Sequence, residues 1–535
     1  MIWRIGALAI AGLVALPLLG IASSLLVWQG EMWRHLAQTQ LRDIALNTAV
    51  LLLGVGIGTA AIGTGTAWLV TMCRFPGSRL LQGALLLPMV LPTYIIGYAY
   101  ADLLAFAGPL QTTLRALTGW SRGDYWFPDL GSAGGVAVLF TLVLYPYVYL
   151  AARAAFLAQS QPLLEASRIL GHGPWRTFLR VALPLARPAI AAGTVLALLE
   201  ALADFGTVQY YGVHSFTTAI YRTWFGMGNR AGAAQIAVVL LAIAVALVLL
   251  ERRSRGRARV QIAANLRLAA PPVTLGRAAG LAAMVLCALP VVLGFALPTI
   301  HLGQLALGSA AAMSEQNFLS EAWHSLVLAT LAAAVIVSLA LFLAYAGRLV
   351  RRPAFNRLIE FASLGYALPG AVIAVGILLP LIAFDRALAG IGLSTGLLLS
   401  GTAFALLLAY TVRFLAVGIA NVSPALAAID PAMDASAQIL GARPREILRR
   451  IHLPMLRGPA FTAALVAFVE VMKELPATLL IRPFNFDTLS VGVYRYASDE
   501  RLAEAAVGAL AIVAVSLLPV LLLSRAISTS SRRGP

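Results

Sequence analysis

The sequence predicts an all-α polytopic membrane protein with about twelve transmembrane helices. Hydrophobic residues make up 60% of the 535-residue chain and charged residues only 11%, whereas soluble domains contain about a quarter charged residues. The mean hydropathy is +0.87. Many stretches reach the roughly 20 apolar residues that are needed to cross a hydrocarbon core of about 30 Å. These three observations favour lipid as the solvent of most of the chain.

The first apolar stretch follows Arg4 and continues to Trp28. It is longer than the core of a cleaved signal peptide, which is about 7–15 residues, so we expect an uncleaved first span. Eleven further stretches complete the set. The predicted spans are residues 5–28, 44–72, 81–105, 132–156, 188–208, 231–251, 278–298, 323–347, 358–384, 394–419, 459–480 and 503–524.

Basic residues predict the topology. The densest run, Arg252 to Arg259, follows the sixth span, and the basic segments 348–357 and 443–457 follow the eighth and tenth. Because cytoplasmic loops carry an excess of Lys and Arg, we place both termini in the cytoplasm. The run after the sixth span is either a contact for anionic lipid or a linker that fixes topology, and its agreement with the charge rule favours the linker.

The two six-span halves contain an internal repeat. The segment Glu165–Gly171 recurs 270 positions later as Ala435–Gly441, and the Leu-Pro pair at 183–184 recurs at 453–454. An even number of spans separates the copies, so the second copy enters the membrane in the same direction as the first. The repeat is therefore predicted to be parallel, about an axis along the membrane normal, with a substrate path between the halves.

The repeat and the basic run together predict three regions. We expect a first transmembrane domain at 1–251, a basic cytoplasmic linker at 252–277 and a second transmembrane domain at 278–535. The repeat extends upstream, because Leu91-Pro92 in the third span resembles Leu368-Pro369 in the ninth.

Each half also contains a cytoplasmic element, at 162–184 and 434–456. In each, short apolar stretches flank a turn, at 171–174 and 441–444, that begins with Gly and ends with Pro. This pattern predicts two short helices joined by a turn. A single amphipathic pair of this kind can lie on the membrane surface, but two copies at matched positions indicate a shared mechanical role.

The first element resembles a known motif. Glu165-Ala166-Ser, followed by Gly171 and Pro184, is similar to the "EAA" loop of ABC-importer permeases. In that family the loop docks as a coupling helix into a cleft of the ATPase subunit. The resemblance therefore implies that these four positions contact an ATP-binding cassette subunit.

The second element departs from the motif at one position. Ala435 stands where the family has glutamate, and Asp434 precedes it by one residue, while Gly441 and Pro454 keep their places. The resemblance implies that these four residues also contact the ATPase.

The chain has no ATPase site of its own. A phosphate-binding loop of the form Gly-x-x-x-x-Gly-Lys-Ser/Thr requires a lysine, and the single lysine, Lys473, lies between Met472 and Glu474. We therefore predict a transport subunit that is not an enzyme and binds no cofactor. ATP and Mg are expected on a separate ATPase homodimer. The net charge of +17 is unaccompanied by a nucleic-acid-binding motif, so the expected non-protein partner is membrane lipid.

Carboxylates inside two predicted spans are the candidate substrate residues. Glu200 and Asp204 are four positions apart, as are Glu470 and Glu474, so each pair is predicted to share a helix face. Carboxylates within a membrane are costly and mark a pathway or a paired site. Hard oxygen ligands suit hard cations such as ferric iron, so we hypothesise a transient metal contact at all four.

The alternative for these carboxylates is structural pairing. Lys473 can neutralise Glu470 or Glu474, and Arg413 can neutralise another. Tyrosines can add oxygen donors, although membrane tyrosines also populate the interfaces. The tyrosines in question are Tyr98, Tyr100, Tyr145, Tyr147 and Tyr149.

The sequence around the carboxylates resembles one subfamily. Residues 203–210, 217–224, 473–478 and 482–488 are similar to fused bacterial ferric-iron permeases. That resemblance implies the type I ABC importer permease fold, in the bacterial inner membrane, and import of ferric iron from a periplasmic iron-binding protein. Thiamine and phosphonate permeases share the two-domain plan and remain alternatives. A proton-coupled secondary transporter is the alternative of another class, but it gives no reason for paired coupling elements.

Overall fold

A computed structural model describes most of the chain. The described residues are 2–121, 123–159, 167, 169–171, 173–254, 273–308, 316–350, 352–392 and 397–532.

The described part of the first half is almost entirely helical. Its helices are α1 (Ile2–Ser23), α2 (Gly30–Thr39), α3 (Leu41–Met72), α4 (Ser78–Ala84), α5 (Thr93–Leu104), α6 (Pro109–Thr118), α7 (Ala133–Leu157), α8 (Pro174–Thr177), α9 (Leu183–Ala203), α10 (Gly206–Tyr210), α11 (Phe216–Tyr221) and α12 (Arg230–Ser254). A short parallel pair joins β1 (Cys73–Arg74) to β2 (Val273–Thr274).

The second half repeats this pattern. Its helices are α13 (Arg277–Val291), α14 (Leu297–Leu307), α15 (Gln316–Val350), α16 (Pro353–Ala362), α17 (Gly370–Gly390), α18 (Ala403–Ala427), α19 (Pro431–Ile439), α20 (Pro444–Ile447), α21 (Leu453–Met455), α22 (Arg457–Lys473), α23 (Pro476–Ile481), α24 (Leu489–Ser498) and α25 (Leu502–Arg532).

The described residues contain 10 helices that are long and apolar enough to cross a membrane, or up to 12 if each of two bent pairs counts as one span. The bent pairs are Ser78–Val90 with Thr93–Thr118, at 90°, and Pro444–Met455 with Arg457–Lys473, at 72°. The prediction of about twelve spans is thereby confirmed.

Several predicted spans are broken rather than continuous. Leu91 and Pro92 are extended, with ψ of 122° and 144°, because a residue before proline avoids the helical region. Leu368 and Pro369 break the ninth span in the same way, with ψ of 125° and 142°. The predicted span 459–480 likewise contains two helices, since α22 ends at Lys473 and α23 begins at Pro476.

The helices form two compact units, which differ from the two sequence halves. One unit contains residues 1–36, 219–241 and 311–493, and the other contains residues 37–218, 242–310 and 494–535. The predicted domain boundaries follow the repeat and not this packing, so they stay a prediction.

In the first unit, α1 packs against α17 through facing glycines. A Cβ on Gly20 would collide with the backbone of Gly376, and a Cβ on Gly376 would collide with the backbone of Pro17. Small residues of this kind allow membrane helices to approach closely. This contact explains why α1 belongs to the unit that holds most of the second half.

In the second unit, α3, α7 and α9 pack around one hydrophobic core. Val55, Phe140 and Ala197 are fully buried there. A Cβ on Gly193 of α9 would approach the backbone of Val148 in α7 within 2.8 Å. Close packing at these small residues fixes α9, whose C-terminal end carries the first candidate carboxylates.

Candidate functional site

Asp204 lies just after α9. The helix ends at Ala203, and Asp204 is extended, with φ −66° and ψ 133°. Its carboxylate, 6% exposed, accepts hydrogen bonds from the backbone N–H groups of Thr207 (2.9 Å) and Val208 (3.3 Å). The hydroxyls of Thr207 and Thr93 also donate to it, at 3.1 and 2.5 Å. Asp204 therefore caps the first turn of α10.

Glu474 occupies the equivalent place after α22. The helix ends at Lys473, and Glu474 has φ −70° and ψ 118°. Its carboxylate, 4% exposed, accepts from the N–H groups of Ala477 (2.8 Å) and Thr478 (2.9 Å). Arg413 Nη1 forms an ion pair with it at 2.9 Å. Glu474 therefore caps α23 and is neutralised by a buried guanidinium.

These positions correct one sequence-based expectation. Glu200 and Asp204 do not share a helix face, and neither do Glu470 and Glu474, because each helix ends one residue before its second carboxylate. The chain breaks there so that the carboxylate can cap the next short helix. Pro476 at the start of α23 is a local signal of this break, since proline is favoured at the first helical position.

The two halves differ in charge balance. Lys473 pairs with Glu470 at 3.0 Å, and Arg413 pairs with Glu474, as the pairing interpretation requires. Across the described residues, the hydrogen bonds to Asp204 come from hydroxyl and backbone donors, and no basic side chain forms an ion pair with it. Within the part of the chain that the structure describes, Asp204 is therefore a buried carboxylate without a cationic partner.

The joint role of the four carboxylates stays a prediction. Glu200 is half-buried, about one turn before Asp204. Glu200 and Asp204 belong to one compact unit, and Glu470 and Glu474 to the other. The described residues contain no group of three or more His, Cys, Asp or Glu side chains placed to hold a metal ion.

The five candidate tyrosines fall into different classes. Tyr100 and Tyr149 donate to backbone carbonyls at 2.7 and 2.8 Å, and Tyr147 packs against the core around α7. Tyr98 and Tyr145 are buried, and their hydroxyls have no hydrogen-bond partner within the described part of the chain. Tyr100 and Tyr149 are therefore held by structure, whereas Tyr98 and Tyr145 carry unused polar groups.

The second cytoplasmic element is held by a partly buried ionic network. Asp434 lies in the first turn of α19 and accepts hydrogen bonds from Arg348 Nε at 2.6 Å and His452 Nε2 at 2.8 Å. Arg348 Nη1 also donates to the carbonyls of Leu426 and Ile429, at 2.7 and 2.9 Å. One arginine thus joins the end of α18 to the first helix of the element.

The same network changes the acidity of Asp434. Burial alone would raise the pKa of its carboxyl, but the hydrogen bonds and charges of Arg348 and His452 hold the pKa below its ordinary value. His452 is fully buried, and its ring lies 5.3 Å from that of Tyr345. Tyr345 in turn donates to the carbonyl of Pro444 at 2.6 Å, so both helices of the element are fastened to α15.

The first element is described in part. Glu165 and Ala166 lie outside the described residues. Gly171 is exposed and has φ +78°, and Pro184 is half-buried at the start of α9. After this turn α8 begins at Pro174, where the sequence predicts the second short helix of the element.

The second element has the same form. Ala435, Gly441 and Pro454 are all exposed, and Gly441 has φ +83°. A π-turn follows at Leu448–His452, 270 positions after the π-turn at Phe178–Ala182. Such turns are rare and occur often at functional sites, so the repeat extends to an uncommon backbone feature.

Both elements expose a matched apolar pair just before the turn. Ile169 and Leu170 are 85% and 76% exposed, and Ile439 and Leu440 are 86% and 87% exposed. Contiguous exposed apolar side chains mark interaction surfaces. The two elements therefore expose equivalent apolar pairs at matched positions of the repeat.

The architecture and both elements agree with one protein family. The sequence model of one family, described as the binding-protein-dependent transport system inner membrane component, matches residues 59–260 and 336–533 of this chain. The chain belongs to this family. The two matches confirm the two-repeat organisation predicted from the sequence.

Relatives of this inner membrane component include iron and molybdenum permeases. An Fe(3+)-transport system permease protein of Haemophilus influenzae is 28% identical over 506 residues, covering 92% of this chain and 91% of the relative. A molybdenum transport system permease protein of Escherichia coli is 33% identical over 182 residues, covering 33% of this chain and 76% of the relative. A solved chain of a bacterial alginate ABC transporter aligns with 46% of this chain and 94% of its own, at a TM-score of 0.39 and 18% identity.

Some site residues of the inner membrane component escaped sequence reasoning. Thr93 and Thr207 hold Asp204, and Arg348 and His452 hold Asp434. Aspartate is a favoured N-cap residue, so the cap at Asp204 had a local signal. Arg348 lies 86 positions from Asp434, and no local pattern could indicate that pair.

Proposed function

We propose that this chain is the permease of an ATP-driven importer that carries ferric iron from a periplasmic binding protein across the bacterial inner membrane. The observation that carries this proposal is the match to an Fe(3+)-transport permease over 92% of the chain, which includes both repeats. Relatives named for molybdenum or sulfate transport match 33% and 38% of the chain. The full-length match is therefore the better guide to substrate.

ATP hydrolysis belongs to a partner in this proposal. The chain lacks a phosphate-binding loop, because its single lysine is Lys473. Two copies of an ATP-binding cassette subunit, which bind ATP and Mg, would each receive one cytoplasmic element. The matched exposed apolar pairs and left-handed glycine turns support this assignment. The proposed coupling residues are Glu165, Ala166, Gly171, Pro184, Asp434, Ala435, Gly441 and Pro454.

The proposed topology places both termini and both cytoplasmic elements on the ATPase side. The basic segments after the even-numbered spans support it, because positive loops stay in the cytoplasm. The proposed regions are a first permease domain at 1–251, a basic linker at 252–277 and a second permease domain at 278–535.

The proposed substrate path keeps the four carboxylates Glu200, Asp204, Glu470 and Glu474 as transient metal contacts. Their support is uneven. Glu470 and Glu474 already have cationic partners, whereas Asp204 has only hydroxyl and backbone donors among the described residues. A buried carboxylate without a cation attracts one, so Asp204 is the strongest member of the set.

Transport in reconstituted vesicles tests the proposal. The chain is inserted with its ATPase, an iron-binding periplasmic protein is added, and uptake of labelled ferric iron is measured with and without ATP. We expect uptake that requires ATP, and none with an ATPase that lacks its phosphate-binding lysine. Labelled molybdate and 2-aminoethylphosphonate serve as competing substrates, since relatives are named for both. Uptake of either anion without iron uptake contradicts the proposal, and uptake driven by a proton gradient alone indicates a secondary transporter.

A further inference from the structure

Three arginines at the ends of separate helices lie close together in the unit that contains α3. Arg74 is in β1, directly after α3, Arg79 is in the first turn of α4, and Arg277 is the first residue of α13. All three are exposed. Within the described residues, their side chains form no hydrogen bond or ion pair. We call these three residues the α13 basic cluster.

Backbone contacts hold the α13 basic cluster together. The N–H of Leu275, just after β2, donates to the carbonyl of Arg74 in β1 at 3.1 Å. One turn into α13, a Cβ on Gly280 would lie 3.7 Å from the Cβ of Phe75. The N–H of Ser78, where α4 begins, donates to the carbonyl of Phe75 at 3.2 Å. The end of α3 and the starts of α4 and α13 are therefore fixed beside one another.

An apolar strip continues from this cluster along α13. Leu281 and Val285 follow Arg277 at intervals of four residues, which places all three on one face of the helix. Both apolar side chains are exposed, as is Leu80 beside Arg79. The segment Arg277–Leu307 is a candidate membrane span. A cationic cluster at the end of a span, followed by exposed apolar side chains, matches the headgroup and acyl chain of a phospholipid.

The other unit contains a matched cluster at the start of α1. Arg4 lies in the first turn of α1, Arg352 just before α16 and Arg357 within α16, and all three are exposed. Helix α1 packs against α16 as α13 packs against α4. Leu8, one turn after Arg4, is exposed. Glu360 follows Arg357 by three residues, so this α1 basic cluster has a nearby acidic residue.

Topology alone does not require such clusters. The positive-inside rule concerns the number of Lys and Arg residues in a loop, and it demands no contact between one loop and another. Like charges also repel each other, and the segments 73–84 and 273–291 contain no acidic residue to compensate them. Basic pockets between membrane helices are the kind of site that binds anionic headgroups.

We propose that each basic cluster binds one anionic phospholipid, with its phosphate among the arginines and an acyl chain along the exposed apolar strip. The guanidinium fork matches the geometry of phosphate oxygens. A zwitterionic lipid also has a phosphate, but its own cation is repelled by the arginines. The α13 basic cluster, without an acidic residue in its segments, is the tighter site. This inference is independent of the substrate that the chain carries.

The test removes two charges from the α13 basic cluster and measures bound lipid. The full chain in detergent is titrated with phosphatidylglycerol, and native mass spectrometry counts the lipids on each chain. We expect Arg74→Gln with Arg277→Gln to weaken the tighter site on the order of thirtyfold, since each basic residue near an anionic surface contributes about a factor of five. Arg74→Lys with Arg277→Lys keeps both charges and should retain most of the affinity.

A matched control separates a site from an effect of net charge. Arg34→Gln with Arg42→Gln also removes two exposed arginines, and Arg42 lies at the opposite end of α3 from Arg74. This variant should bind phosphatidylglycerol as the parent does. Equal losses for the two glutamine pairs overturn the inference. Equal binding of phosphatidylcholine and phosphatidylglycerol by the parent also overturns it.

Two further measurements complete the test. Co-purification of the ATPase is measured for every variant, and a loss of ATPase with unchanged lipid binding overturns the inference, because it assigns the cluster to a protein partner. If the double glutamine variant does not fold, Arg277→Gln alone decides the question. Its affinity for phosphatidylglycerol should fall about fivefold, and an unchanged affinity overturns the inference.

Discussion

Asp204 and Glu474 occupy equivalent places in the repeat, but their negative charges have different partners. Both follow the last residue of a long helix with nearly the same backbone angles, and both cap the short helix that comes next. Asp204 is held by threonine hydroxyls and backbone donors, whereas Glu474 also pairs with Arg413. The shared geometry shows that a carboxylate side chain caps the short helix in both halves. The difference is that, among the described residues, Arg413 neutralises Glu474 whereas no basic side chain pairs with Asp204.

A single position in the preceding span accounts for much of this difference. Counted from the Leu-Pro pairs, Thr93 in the first half matches Gly370 in the second. Thr93 donates to Asp204, whereas Gly370 lacks a side chain, and a Cβ there would collide with Arg413 and approach Glu474. The glycine therefore makes room for the guanidinium.

The largest expected effect is a difference in unfolding free energy between variants of the two carboxylates. Glu474→Gln keeps a capping oxygen but removes the carboxylate charge that pairs with buried Arg413, and breaking one side of a buried ion pair costs about 3–5 kcal/mol. Asp204→Asn removes no partner of a buried cation, and asparagine caps a helix about as well as aspartate. We therefore expect a large loss of unfolding free energy for Glu474→Gln and little change for Asp204→Asn, measured by thermal unfolding in lipid nanodiscs.

The matched control for that experiment removes both charges of the pair. Replacing a buried ion pair by neutral side chains of similar volume is often close to neutral for stability. The double variant Arg413→Met with Glu474→Gln is thus expected to regain most of the lost stability. Equal losses for Glu474→Gln and Asp204→Asn would show that the two sites are electrostatically alike.

Gly370→Ala tests the origin of the difference. The added methyl group is expected to displace Arg413 from Glu474, at a cost of about 1–3 kcal/mol for overpacking a tight site. Gly390→Ala, in the same helix, is the control, because a Cβ there meets nothing within 4 Å. Unfolding curves of both variants are compared with the parent. A Gly370→Ala protein as stable as Gly390→Ala would show that Arg413 has room to move.

The sequence predicted the long elements well and their interruptions poorly. Hydrophobic length located the spans, because each must cover the same hydrocarbon thickness. It could not show that α9 and α22 end before Asp204 and Glu474, since the apolar composition continues past both breaks. Capping chemistry determines these ends, and its signals, an aspartate before α10 and Pro476 in α23, are short compared with the hydrophobic pattern.

The sequence identified which residues belong to the candidate site, but it did not identify the contacts that these residues make. Glu200, Asp204, Glu470 and Glu474 were identified because charge within a span is rare. The partner of Glu474, Arg413, was available from the sequence only as one possibility, since the two residues are 61 positions apart. Pairing across such distances depends on helix packing, which local patterns do not encode.

The two cytoplasmic elements extend the comparison, because they are fastened by different chemistry. In the first, Phe178 packs 4.9 Å from Trp68, measured between ring centroids. In the second, Asp434 accepts hydrogen bonds from Arg348 and His452. Among the described residues, an aromatic contact thus fastens the first element and a charged network the second.

Asp434→Asn tests the charged network, with an expected loss of about 1.5–3 kcal/mol for hydrogen bonds to a charged group. Because the folded pKa of Asp434 lies below its ordinary value, its contribution is present above that ordinary value, about 3.9. It is lost as pH falls through the lower folded pKa. The stability difference between parent and Asp434→Asn should therefore shrink below about pH 4. A difference that persists at low pH would show that the carboxylate charge is not responsible.

The smallest expected effect concerns what the two elements share. Gly441 has φ +83° with nothing within 4 Å of its would-be Cβ, so Gly441→Ala adds no collision. It does force an L-residue into the left-handed region, at about 1–2 kcal/mol. If the turn must keep this conformation to dock, affinity for the ATPase should fall about tenfold, since 1.4 kcal/mol corresponds to a factor of ten.

Two controls make the Gly441 test specific to backbone conformation. Gly441→Asn should recover part of the affinity, because asparagine tolerates the left-handed region better than alanine. Gly458→Ala adds the same methyl group nearby, where a Cβ also meets nothing within 4 Å and no positive φ is required, and should bind as the parent does. Gly171, with φ +78°, should respond to alanine as Gly441 does, because the two turns share one backbone form although different contacts fasten their elements. Full ATPase binding by both glycine-to-alanine variants would show that the turn conformation is not what the partner recognises.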